Sequence, residues 1–106
     1  MKQISIVNTL QAQYRQATPG ITRSQAMKTA WAAVKENPTV EVVTFTKKDN
    51  TKTTRVVTRN WTKFQEPKGS GRSAKEGQII AADLVKYLTG SPCIISFYEN
   101  AVVPVA

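Results

Sequence analysis

Residues 40–59, VEVVTFTKKDNTKTTRVVTR, place two β-branched runs, VEVVTFT and TTRVVTR, on either side of a short polar stretch. Both runs change side-chain character every second residue, the period of a half-buried strand, so the stretch predicts an antiparallel β-hairpin. Asp49 and Asn50 tolerate the backbone conformations that close such a connection. In the second strand Arg55, Val57 and Arg59 share one face while Thr54, Val56 and Thr58 share the other. Two arginines therefore point the same way.

Upstream of the hairpin the period is helical. Thr22 and Gln25 form the Thr-x-x-Gln of a capping box, and Ala26, Met27, Ala30, Trp31, Ala33 and Val34 follow at helical spacing until Asn37 and Pro38 end the segment. Trp31 lies on the apolar stripe and reads as a core anchor. Earlier still, Ile4, Val7, Leu10 and Tyr14 suit one face of another helix, although the start of that segment also fits a short strand. The intervening TPG at 18–20 is a break.

Downstream, Asn60–Gly77 has no dominant period and reads as a long, partly anchored loop. Apolar patterning returns with QIIAADLVKYL, whose second half fits either a continued strand or a helical turn. CIISFY and AVVPV then read as strands. The order is two helices followed by four or five short strands, which predicts an α+β domain built on a small antiparallel sheet or barrel. With 106 residues, 41% of them apolar, one compact unit is expected: a helical lead over 1–38 packed on a β unit over 39–106.

The chain carries 15 basic and 7 acidic residues, a net +8. Nine of the basic residues (Lys47, Lys48, Lys52, Arg55, Arg59, Lys63, Lys68, Arg72 and Lys75) fall in one stretch with only Asp49 and Glu66 against them, so the middle third holds +7. Such a balance favours polyanionic partners, and a DNA or RNA backbone is the expectation. Trp61 and Phe64 lie inside this stretch and either stack on bases or close the core. In EPKGSGRSAK (66–75) the backbone N–H groups around Gly69 and Gly71 suit an anion, with Lys68 and Arg72 as charge partners. The spacing is neither that of a nucleotide-hydrolysing phosphate loop nor that of a dinucleotide fingerprint.

The residue inventory argues against catalysis. There is no histidine, the usual base near neutral pH, and one cysteine rules out a zinc cluster. The acids are dispersed, and Asp83, flanked by apolar residues, reads as a buried, hydrogen-bonded group ending a strand. Neither enzyme activity nor a cofactor or metal is expected. Cys93 sits in an apolar strand pattern and reads as core. No run reaches the roughly 20 apolar residues of a membrane span, and the N-terminus lacks the pattern of a secretory signal, so the expected location is cytoplasmic, with no membrane partner.

The words AMKTAWAAVK, VTFTKKDNTKTTRVVT and PKGSGRS, with a closing pair of strands after Asp83, resemble the small SH3 β-barrel proteins, an Sm-like group related to the WYL domain that is frequent in gut bacterial and phage genomes. The resemblance spans about residues 22–103. It implies an SH3-like or Sm-like barrel of about five strands, and a phage or mobile element as one setting, in which case the virion is a second location. Where the family usually has Asp-Gly in the hairpin this chain has KKDN, and it lacks the Trp-Arg pair common before the last strand, so no ligand contact is carried over from there. The alternative to nucleic-acid binding is a protein-interaction or structural module that docks on a host or virion protein or on another copy of itself, for which the apolar tail AVVPVA offers an edge.

Overall fold

The structure, a computed structural model, describes residues 2–64 and 75–103. Two helices come first, α1 (Lys2–Ala17) and α2 (Arg23–Glu36), then strands β1 (Val40–Thr46) and β2 (Lys52–Thr58), a 3₁₀ turn at Trp61–Phe64, strand β3 (Gln78–Asp83), the short helix α3 (Leu84–Leu88), strand β4 (Ile94–Tyr98) and a 3₁₀ turn at Glu99–Ala101. The first segment is helical from its start, and the second half of QIIAADLVKYL is the helix α3 rather than more strand.

Local chemistry accounts for these boundaries. The Thr22 hydroxyl accepts the Gln25 N–H and the Gln25 side chain accepts the Thr22 N–H, so both halves of the capping box are made. Asn37 ends α2 by donating its side-chain amide to Ala33 O at 2.7 Å, and Pro38 cannot continue the ladder. Between β1 and β2, Asn50 takes a φ of +68°, and its N–H donates to Lys47 O. That is the left-handed conformation which asparagine accepts at lower cost than most residues. Asp83 ends β3 and opens α3 by accepting the Lys86 N–H.

All four strands form one antiparallel sheet in the order β1-β2-β3-β4. The β1–β2 hairpin is paired along its whole length, from Val40↔Thr58 to Thr46↔Lys52. β2 and β3 meet only at Val57↔Asp83 and Thr58↔Ala82, so the sheet is two hairpins joined by a short junction. This junction lets the sheet curl until the Phe45 ring on β1 stacks on the Phe97 ring on β4, centroids 4.6 Å apart and planes 6° from parallel. The sheet stays open there. In place of the strand expected over AVVPV, the described residues have a single bridge, Phe45↔Val102, and the Val103 N–H donating to Thr44 O at 2.8 Å. The rest of that tail, 104–106, lies outside the described residues.

The β1–β2 hairpin is buried on both faces, which explains the consecutive valines of its second strand. On one face Val40 and Val56 pack with Val7, Leu10, Ala30, Ala33, Val34 and Leu84, with Trp31 and Phe64 against them. On the other, Val43, Phe45 and Val57 pack with Ala81 and Phe97 inside the curl. Helices and sheet thus share the first of the two cores, while the second is entirely strand-built. No helix among the described residues is long and apolar enough to cross a membrane.

Candidate nucleic-acid interface

Arg55 lies on β2 and Arg59 just past its end, and each meets a carboxylate. Arg55 Nη1 donates to Asp83 Oδ2 at 2.9 Å, and its Nε donates to the Thr53 hydroxyl. Asp83 is only 1% exposed, and its two carboxylate oxygens are taken by that guanidinium and by the Lys86 N–H. Arg59 Nη2 is 3.6 Å from Glu41 Oε1, with both side chains largely open to solvent, a geometry that contributes little. Register makes these partners available. Val43 faces Arg55 across the hairpin and Glu41 faces Val57, while Val57 sits opposite Asp83 on the other side.

Lys63 is also engaged: its Nζ donates to Glu36 O at 2.9 Å and lies 5.4 Å from the centre of the Phe64 ring. That ring is half-buried against the first core and meets Tyr87 edge-on at 4.9 Å. Phe64 is thus a packing residue in this fold. Trp61 is half-buried on the same 3₁₀ turn. Lys68 and Arg72, with Gly69 and Gly71, lie outside the described residues.

The remaining cations of the basic stretch are Lys47, Lys48, Lys52 and Lys75. All four are exposed and enter no ion pair among the described residues. Two of them, Lys47 and Lys48, line the open seam between β1 and β4. Lys47 and Lys48 follow β1 directly, and Lys52 is the register partner of Thr46. Lys75 is tied to the start of β3 by two hydrogen bonds, Gln78 N–H to Lys75 O at 2.9 Å and Lys75 N–H to Gln78 Oε1 at 3.1 Å. A groove of about 400 Å³ runs along the seam, with Phe45, Thr46, Lys47 and Lys48 on one bank and Gln78, Ser96, Phe97 and Tyr98 on the other.

Hydrogen bonds fix the lysine-bearing turn. The Asp49 carboxylate accepts from both the hydroxyl and the N–H of Thr51, and the Lys47 N–H donates to Thr51 O at 2.8 Å. The Thr51 side-chain bond, then its backbone N–H, and to a smaller extent the nearby Lys47 charge hold the Asp49 carboxyl below its ordinary range. Asp49 is thereby committed to the turn.

Tyr98 is not legible as a site residue in the sequence. It reads as one more apolar residue of CIISFY, yet alternation from the buried Phe97 turns it outward, where it is 45% exposed. The signal that finds it is the period of two, applied once the inward residue of the strand is known. Among the described residues, no three histidine, cysteine or acidic side chains are placed to hold a metal ion.

No family model matches the chain, and neither a curated protein nor a solved structure shows significant similarity to it. The candidate interface therefore stands on its own geometry.

Proposed function

We propose that the protein is a small, non-enzymatic module that binds nucleic acid through phosphate contacts with little base specificity. The observation that carries this reading is the exposure of Lys47, Lys48, Lys52 and Lys75, in no ion pair among the described residues, with Lys47 and Lys48 side by side on one bank of a groove. Lysine ammonium groups that keep their charge exposed neutralise phosphates and release condensed counterions. Arg55 is held by the buried Asp83, whereas Arg59, only loosely paired with the exposed Glu41, keeps its charge open to solvent and to phosphate. In this reading the curled sheet is an SH3-like, Sm-like barrel stopping short of closure, supported by the Phe45–Phe97 stack and the return of Val102 to β1.

The test is affinity for short DNA and RNA across a salt series. Four phosphate contacts give a log–log slope of about −3, from roughly −0.7 to −0.9 per phosphate. The double charge reversal Lys47→Glu/Lys48→Glu weakens binding similarly across sequences and flattens the slope. No binding at low salt, or an affinity indifferent to salt, removes the proposal.

A second reading, a protein-interaction or structural module, is favoured by one observation. A groove of about 630 Å³ follows the outer edge of β1 at Glu41–Thr44, between Ser5 and Thr9 of α1 and Val102–Val103. An extended segment can pair with such an edge. Partners captured from the native host that survive nuclease treatment favour this reading, whereas nuclease-sensitive capture favours the first.

A further inference from the structure

We propose that the seam groove takes single-stranded nucleic acid, with an unpaired base stacked on Tyr98 and the adjoining phosphates held by Lys47 and Lys48. The inference rests on the nucleic-acid reading and deepens it, because phosphate contacts alone do not distinguish a duplex from a single strand.

The two banks of the groove differ in chemistry. On the β4 bank Tyr98 offers an exposed aromatic ring, beside Ser96 and Gln78 on the same face. The Gln78 carboxamide oxygen is occupied by the Lys75 N–H, which leaves its amide nitrogen to donate to a base edge. The β1 bank ends in two adjacent ammonium groups on a turn fixed by Asp49 and Thr51. Underneath, the stacked Phe45 and Phe97 rings keep the banks apart without closing them.

This division sets an orientation. Glu99 follows Tyr98 in the chain, and its N–H is bonded to Gly77 O, next to Glu76. Beside the β4 bank these two acids stand against the single cation Lys75, which leaves that bank to an uncharged base, with the phosphates on Lys47 and Lys48 of the β1 bank. A volume of about 400 Å³ is at the small end of ligand pockets and suits a single nucleotide unit. The π-face that stacking needs is free in a single strand and covered in a duplex.

Fluorescence anisotropy of the full chain at low salt, with a labelled mixed-sequence DNA of about 12 nucleotides, within the site sizes common for single-strand binders, the matching RNA and the corresponding duplex, tests the proposal. At least one single strand is expected to bind tenfold or more tightly than the duplex, and which polymer it is identifies the source. Tyr98→Ala is expected to lose about tenfold on the single strand, with duplex affinity and the salt slope unchanged, while Tyr98→Phe keeps the affinity. Thermal melting of both variants separates a lost contact from a lost fold. Equal affinity for duplex and single strand, or single-strand affinity untouched in a folded Tyr98→Ala protein, overturns the inference while leaving the phosphate-binding reading intact. Absence of binding to every probe overturns both.

Discussion

Arg55 Nη1 lies 2.9 Å from Asp83 Oδ2, and this contact crosses the short junction at which the two hairpins of the sheet are joined. Asp83 has three duties at once. It pairs with Val57 in the ladder, caps α3 through the Lys86 N–H and neutralises Arg55. A carboxylate that is 1% exposed is costly to leave without such partners.

Arg55→Ala is therefore expected to act on stability before it acts on binding. Removing one partner of a buried pair leaves the other uncompensated, and the loss here is roughly 3 kcal/mol, the low end of that range, since Asp83 keeps the Lys86 N–H and Arg55 is partly exposed. Urea denaturation measures it. Arg59→Ala, whose partner is exposed, should change stability by less than about 1 kcal/mol. The two arginines look equivalent in sequence, so a difference between them checks the pairing directly.

That contrast marks what the sequence can and cannot reveal. The capping box of α2, its stop at Asn37, the hairpin, the left-handed Asn50 and the burial of Asp83 and Cys93 all follow from residues within a few positions of one another. The partner of Arg55 does not, because Asp83 is 28 residues away and reaches it only through the β2–β3 register. Charge counting treats the two arginines alike for the same reason: it sees the nine cations but not which carboxylates lie beside them in the fold. The extent of sheet closure is hidden too, since it depends on where a single bridge at Phe45↔Val102 forms rather than on any strand pattern. Phe64 fits base stacking and core equally well by its neighbours in sequence, and its packing against Tyr87 and the first core is a tertiary contact that no local pattern shows.

Acid should loosen the lysine turn before it unfolds the sheet. The folded protein holds the Asp49 carboxyl below its ordinary value, chiefly through the Thr51 hydroxyl, so the folded state binds fewer protons than the unfolded one between the two values. The resulting stabilisation is fully present above the unfolded value and fades as pH falls through the lower, folded one. Amide chemical shifts of Lys47–Thr51 followed through acid titration report it. Asp49→Asn should abolish that pH-dependent component, and a substituted protein that still titrates like the parent would contradict the assignment.

The Phe45–Phe97 stack ties the two edges of the open sheet, and this makes it the structural support of the seam groove. Phe97 is 5% exposed and packs in the strand-built core with Val43, Val57 and Ala81, so Phe97→Ala should cost roughly 3–5 kcal/mol. Phe97→Leu keeps most of the volume and should cost less, yet it loses the ring-on-ring contact that sets the spacing of the banks. Chemical denaturation orders the two variants. If Phe97→Leu remains folded, hydrogen exchange at the Val103 amide, which donates to Thr44 O beside the stack, should accelerate relative to the parent. Unchanged exchange there would mean that the bridge at Val102 holds the edges together without the rings.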